Sequence, residues 1–348
     1  MRLLKRRSTQ SIGLDIGSGL VKAVVVDHAG AVPQVTRVVV TALADDAIVE
    51  GEVMDPALVA DAVRETLAAT GERDLRVVVS VGGRDVIVKR IRTERVKASQ
   101  AREILRFEAE QHVPFDMDSV EFDFQLLDPD GTTPDMGVLL VAAKRDLVRA
   151  KLRLLEDAGT TAGVVDVDAF ALHNAFEKSQ PDAMRGVVVL ANVGHEVTTV
   201  NVLDDGVPVL TRDLAIGTRR LREALQREVG LSASEAESVL RGDTHSAALA
   251  AIAQRHAEEL AVGVERAAAV LESSARATRP LSALWLCGGG ARVPGLAQAV
   301  GTRLRVQVGT ANPLAGVAVR DGAFDGLDAD AIAPLLMLPL GLALRRAA

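Results

Sequence analysis

The chain is short of the residues that several common functions require. Among its 348 residues there is a single cysteine, Cys287, which excludes an internal disulfide and a cysteine-ligated zinc site and fits a reducing compartment. The six histidines show no metal-ligand spacing. Aromatic residues make up only 2% of the chain, with one Trp and no Tyr, so base-stacking platforms for nucleic acid are not expected. Positive charge is also in deficit: the net charge of −7 argues against a binder of the phosphate backbone. No apolar run is long enough to span a bilayer; the longest, Ile332 to Leu344, has 13 residues and two prolines. The first residues, Met1 to Arg7, are basic but lack the apolar stretch of a signal peptide; they read as a solvated tail, with contact to an anionic membrane surface as the alternative.

What is present is aliphatic. Hydrophobic residues account for 48% and charged residues for 25%, which is enough to bury a large core in two domains or one two-lobed fold. The stretch that organises the rest is Gly13-Leu-Asp15-Ile-Gly17-Ser18-Gly19-Leu-Val-Lys22. Two apolar runs flank a tight turn. Asp15 just before it and Lys22 just after it are the only charges between Ile12 and Val26. Glycines let backbone amides turn toward an anion, the serine adds a hydroxyl, and the lysine supplies countercharge. The aspartate suits a magnesium-bound water. A plain β-hairpin with a glycine turn accounts for the same residues equally well.

The spacing predicts three antiparallel strands over 11–43, a helix over Pro56 to Ala69 and a buried strand over Arg76 to Val81. A β-α-β-β-α unit of different character follows. It has Lys89 and Arg90 in its first strand, a charged helix stopped by Pro114, and the alternating strand Val120 to Leu127. Four of the seven phenylalanines, Phe107, Phe115, Phe122 and Phe124, fall in this unit and read as its core or as a peptide groove, core being the preferred reading. The apolar pattern resumes at Val164. At Val187 to Leu203 the opening stretch is repeated at an offset of 177 residues: Asn192 falls on Asp15, Gly194 on Gly17, Thr199 on Lys22 and Asp204 on Asp27. A duplication at about half the chain length predicts two related lobes. Gly217 precedes a helix, and Ser232 to Glu235 is a capping box. A strand ending at Leu286 then runs into Cys287-Gly288-Gly289-Gly290-Ala291, where a ligand can approach backbone closely.

In this order the three glycine turns resemble the phosphate and adenosine motifs of the actin-like ATPase superfamily. Gly13, Asp15, Gly17, Ser18 and Lys22 match the first phosphate motif, Asn192, Gly194 and Thr198 the second, and Gly288 to Ala291 the adenosine motif. Val86 to Ile91, Arg106 to Asp116, Val141 to Lys144, Val165 to Phe170, Gly230 to Glu237 and Gly341 to Arg345 are similar to signatures of the PilM family of type IV pilus assembly proteins, itself similar to FtsA. The resemblance covers nearly the whole chain. It implies a two-lobed α/β fold, with ribonuclease H-like duplicated domains and a small α+β insert in the first lobe. The expected divisions are a first-lobe core over 8–85, the insert over 86–163 and an inter-lobe connection over 164–185. A second lobe would cover 186–310, with a helical subdomain over 226–282, and 311–348 would return to the core.

The resemblance further implies ATP and Mg2+ in the cleft between the lobes. Gly17, Ser18, Gly19 and Lys22 would hold phosphates, Asp15 would orient the magnesium shell and be the one catalytic candidate, and Gly194, Thr198 and Gly217 would close from the other lobe. The expected partner is the N-terminal cytoplasmic peptide of PilN, docked between the first lobe and the insert, alongside other pilus inner-membrane assembly proteins and compatible with a homo-oligomer. The chain would be cytoplasmic and recruited to the inner membrane through its partner. One departure stands out: the second motif usually carries an acid where this chain has Asn192. An amide orders a water but takes no proton, so slow or absent ATP hydrolysis is expected. Asp166 and Asp168 either replace the acid or cap the next helix, and capping is the preferred reading. A filament-forming FtsA-like protein and a small-molecule kinase of the same superfamily are the rival readings.

Overall fold

The computed structural model of the chain describes residues 9–72, 76–96, 98–274 and 280–345. The basic stretch Met1 to Arg7 lies outside them. The chain begins as an antiparallel meander of β1 (Gln10–Ile16), β2 (Leu20–Asp27) and β3 (Gln34–Ala42). A two-residue ribbon follows, β4 (Ile48–Val49) against β5 (Glu52–Val53). Helix α1 (Pro56–Thr70) starts where its residues dictate. The Asp55 carboxylate accepts from the Leu58 amide, Pro56 needs no hydrogen bond in the first turn, and Gly71 ends the helix at φ 76°. Strand β6 (Arg76–Val81) then lies parallel to β1.

The inserted unit comprises β7 (Val86–Glu94), α2 (Ala98–Ala109), β8 (Val120–Leu126), β9 (Asp135–Lys144) and α3 (Arg145–Asp157). Its core joins Leu105 and Ala109 of α2 to Val120, Phe122, Val138 and Leu140 of the sheet. Phe115 and Phe124 pack against that core, but Phe107 does not: it is 65% exposed on α2, so the sequence expectation fails for that residue. The next elements are β10 (Thr161–Val167), parallel to β6, and α4 (Asp168–Ser179).

The second lobe repeats the first. Strands β11 (Val187–Val193), β12 (Thr198–Asp204) and β13 (Val207–Leu214) form the same meander. Helices α5 (Thr218–Val229), α6 (Ala233–Arg241) and α7 (Leu249–Ser274) follow, with Ser232 and Glu235 making both bonds of the expected capping box. Strand β14 (Leu281–Cys287) is parallel to β11, and β15 (Gln307–Thr310), reached through α8 (Leu296–Leu304), is parallel to β14. The strand order β10-β6-β1-β2-β3 is thus matched by β15-β14-β11-β12-β13. Two features lie outside the repeat. Strand β16 (Ala318–Val319) extends the first sheet beside β3, and β13 meets β7 at Leu210 and Lys89, so the insert's strands continue the second sheet.

The closing apolar run is not one helix. Pro334 breaks it into α9 (Ala329–Ile332), a 3-10 turn over Ala333–Leu336, and α10 (Met337–Leu344). Helix α10 lies with α4 between the two sheets. One continuous core there joins Val78 of β6, Leu172 and Phe176 of α4, Leu190 of β11 and Met337 and Leu342 of α10. The approach is so close that a Cβ on Gly341 would overlap the Ala171 carbonyl and one on Gly13 the Pro339 carbonyl.

In the second lobe, His256 of α7 is 5% exposed and its Nε2 has no hydrogen-bond partner. Burial pushes its pKa down to about 4, with Glu259 opposing and Arg220 reinforcing the shift. The folded form therefore refuses a proton that the unfolded chain accepts below pH 6.5. Acidification from pH 6.5 toward 4 is expected to remove about 3 kcal/mol of stability through this group. Urea unfolding of the wild type and His256→Leu at pH 7 and 4.5 measures it: the variant's loss on acidification should be smaller by that order, and equal losses would exclude the assignment.

Candidate functional site

The two meanders point their first turns at one another across a cleft of about 1670 Å³. The turns are built alike. Gly17 N–H donates to the Leu20 carbonyl at 3.0 Å, and Gly194 N–H donates to the Val197 carbonyl at 3.0 Å, both 177 residues apart. Register places Asp15 opposite Lys22 and, in the same positions, Asn192 opposite Thr199. The chemistry of the two pairs differs. Lys22 Nζ sits 2.6 Å from Asp15 Oδ2, whereas Asn192 Oδ1 is approached by the Cys287 thiol at 3.7 Å. That thiol is fully buried and its pKa is pushed up by burial, which suits a small packing residue and not a nucleophile.

Asp15, Gly17, Ser18, Gly19, Lys22, Asn192, Gly194, Gly288 and Gly289 all line this cleft, as the motifs suggest. The other expected residues do not. Gly13 faces away from it into α10. Thr198 is fully buried and its hydroxyl donates to the Ile216 carbonyl at 2.5 Å. Side chains alternate along a strand, so the residue that reaches the cleft is Thr199, the one the 177-residue offset had placed on Lys22. Gly217 packs beneath the second turn, where a Cβ would overlap the His195 carbonyl. Gly290 packs on Val193, and Ala291 packs against the second-lobe core. Nor are all the turn glycines free donors: Gly17 N–H closes its own hairpin and Gly288 N–H donates to the Pro334 carbonyl at 2.8 Å. The Ser18 and Gly19 amides have no acceptor among the described residues.

The preferred reading of Asp166 and Asp168 as helix caps is also corrected. The cap position of α4 is Val167, with no side-chain cap bond. Asp166 Oδ1 accepts from the Val167 amide at 2.9 Å, and Arg345 Nη1 lies 3.2 Å from Oδ2, away from the cleft. Asp168 instead lines the cleft, set against Gly82, where a Cβ would overlap its carboxylate. Burial raises its pKa to about 6, with the Ser80 hydroxyl opposing and the Asp15 charge adding to the rise.

Three further groups were missed: Asp213 and Lys151 come from a strand and a helix without a motif, and His195 sits within the second turn at a position the motif does not specify. Asp213 lies beside Thr199 in the β12–β13 register, lines the cleft, and has a carboxyl pKa raised by burial against the nearby Thr199 hydroxyl and Gly83 amide. Lys151 of α3 also lines the cleft; burial lowers its pKa while Asp168 and Asp15 hold it up. His195 of the second turn lies against Gly19 of the first, with its Nε2 buried and without a hydrogen-bond partner. Beside it the lobes are tied together. Arg219 Nη1 lies 2.8 Å from Asp46 Oδ1 and 2.9 Å from Glu196 Oε1, Arg222 Nη2 lies 2.9 Å from Asp45 Oδ2, and the Glu50 amide donates to Glu196 Oε2 at 2.6 Å.

Duplicated five-stranded lobes with paired glycine turns facing one acid-lined cleft define the actin-like ATPase fold. The likeness to solved structures agrees. EutJ of Carboxydothermus hydrogenoformans is similar at a TM-score of 0.57 and 17% identity, covering 96% of this chain and 89% of that one. MreB5 of Spiroplasma citri bound to ADP is similar at 0.53 and 10% identity, covering 97% and 96%. A far stronger likeness, TM-score 0.81 and 26% identity over 96% of this chain and 97% of the other, is to a protein solved in the PilM–PilN type IV pilus biogenesis complex. Residues 13–347 match the family described as type IV pilus assembly protein PilM, and the chain belongs to that family.

The glycines of the first turn separate packing from ligand contact. Gly13→Ala drives a Cβ into backbone and is expected to cost about 2 kcal/mol or more in urea unfolding. Gly19→Ala meets only the His195 side chain, at 3.0 Å, and should cost under about 1 kcal/mol. A reversed order of the two unfolding midpoints would contradict the placement of Gly13 in the core.

Proposed function

We propose that the protein is a nucleotide-binding scaffold of the type IV pilus inner-membrane assembly, with ATP and magnesium held between the two lobes. The observation that carries the reading is the pair of matching turns facing one cleft, with the Ser18 and Gly19 amides and the Ser18 hydroxyl available to phosphate oxygens. Lys22 would supply positive charge, Asp15 would hold a magnesium-bound water, and Gly194 would let the second lobe approach. The backbone at Gly288 and Gly289 would lie along the adenosine. Bound magnesium would neutralise phosphate charge.

Hydrolysis is slow or absent in this reading. Asn192 stands where the first turn has its acid, and an amide cannot accept the proton of an attacking water. Asp168 and Asp213, which line the same cleft, are the candidate substitutes. With its pKa near 6, Asp168 is ionised at neutral pH and becomes protonated as the pH falls through 6. Any residual turnover that uses Asp168 as a base should therefore fall below pH 6. The peptide partner is the N-terminal cytoplasmic segment of PilN, docked between the first lobe and the insert, which would recruit the protein to the inner membrane. Support for it comes from the PilN complex of the similar PilM protein.

Calorimetric titration with ATP and magnesium should show binding that Asp15→Ala weakens at least tenfold, with phosphate release at saturating ATP near background. Brisk release would refute the scaffold reading. A PilN N-terminal peptide should be retained by the protein in the presence of ATP; loss of retention would favour a self-assembling, filament-forming role instead.

A further inference from the structure

We infer that Lys151 senses the terminal phosphate of a nucleotide in the cleft and passes its occupancy to the inserted subdomain through α3; this rests on the nucleotide reading above. The cleft holds two lysines in different states. Lys22 is already engaged by Asp15 at 2.6 Å. Lys151 lines the same cleft yet has neither an ion pair nor a hydrogen bond among the described residues. Lys151 is half-buried, and Asp168 and Asp15 act on it through space without touching it, so an anion delivered to it has no ion pair or hydrogen bond to displace. Asp15, Asp168 and Asp213 make the surrounding floor acidic, so a bare anion is repelled there. A phosphate carried with a divalent cation satisfies both sets of groups at once.

The helix that carries Lys151 is the mechanical link. Leu154 and Leu155 hold α3 in the first-lobe core. Its first residue, Arg145, directly follows Lys144, the last residue of β9, with no loop between them. Strand β9 is the middle strand of the insert, flanked by β7 and β8. The junction is clamped from both sides: Arg145 Nε lies 3.0 Å from Glu121 Oε1, Arg145 Nη1 donates to the Asp118 carbonyl at 2.6 Å, and Lys144 Nζ lies 2.7 Å from Asp85 Oδ1. Lys151 is six residues into α3, about 9 Å along its axis from that clamp. A pull on Lys151 therefore moves a rigid helix joined without slack to the insert sheet. By reciprocity, a partner on the insert changes nucleotide affinity by the same factor as the nucleotide changes the partner's.

The test compares ATP and ADP binding, each with magnesium, in the wild type, Lys151→Met and Lys151→Arg, together with hydrogen exchange over residues 86–144. Lys151→Met should weaken ATP at least tenfold and ADP less than threefold, and should abolish the difference in insert exchange between the ATP and ADP forms. Lys151→Arg should keep most of both effects. Without ligand, Lys151→Met should melt close to the wild type, because it breaks no ion pair or hydrogen bond and only the through-space attraction of Asp168 and Asp15 is lost. An unchanged ATP-to-ADP ratio in Lys151→Met, or an insert whose exchange still distinguishes the two nucleotides, overturns the inference while leaving the nucleotide reading intact. Failure of the wild type to bind either nucleotide overturns both.

Discussion

The structure depends on how closely α10 approaches its neighbours. Pro339 presents its carbonyl to Gly13 of β1, and Ala171 of α4 presents its carbonyl to Gly341, with no room for a Cβ at either glycine. This lets the closing helix lie with α4 between the two sheets and form a single core with residues from both lobes. A glycine in a strand and another in a helix are each locally unfavourable. Here both are the condition for burying an aliphatic helix that contains a proline. Because the first and last parts of the chain meet at this contact, the relative setting of the two turns is a consequence of it.

On that scaffold the two meanders become the same geometry with different chemistry. Asp15 and Lys22 are an ion pair at the mouth of the first turn, and Asn192 and Thr199 are a neutral pair in the same register at the second. Of the two turn pairs only the first is charged, while the second lobe brings its own ion pairs to the cleft, such as Arg219 with Glu196. The lobes are also held near one another by Arg219 and Arg222 reaching Asp46 and Asp45. These contacts are partly solvated, so each contributes modestly, on the order of 1 kcal/mol or less, and opening of the cleft remains accessible.

Much of this was legible in the residues. The 177-residue echo announced two lobes, and the hairpin registers repeat it pair by pair. Helix limits set by local chemistry were also readable, as at Asp55 and Gly71 or at Ser232 and Glu235, since each cap is made by side chains a few residues away. The failures have a common cause. Thr198 was chosen over Thr199, although alternation along β12 sends only one of them to the cleft. Gly13, Gly290 and Ala291 were read as ligand-facing because motif residues were taken as a block, while packing against α10, Val193 and the second-lobe core claims them individually. Phe107 was placed in the insert's core, yet its position on α2 turns it to solvent.

Local elements, the duplication and the family could all be read along the chain, because they follow from periodicity, capping chemistry and a repeated pattern of residue types. Which of the marked residues share a cleft was set by packing across the fold. That packing also brought in Asp213 and Lys151, which carry no local signature, and His195, which sits in the second turn at a position the motif does not specify. Their function-bearing property is mutual proximity, and proximity between β13, α3 and the second turn is fixed by how sheets and helices pack, not by neighbours along the chain. The same holds for Asp168: beside Asp166 in sequence it looks like half of a helix cap, and only the fold sends one carboxylate to Arg345 and the other into the cleft.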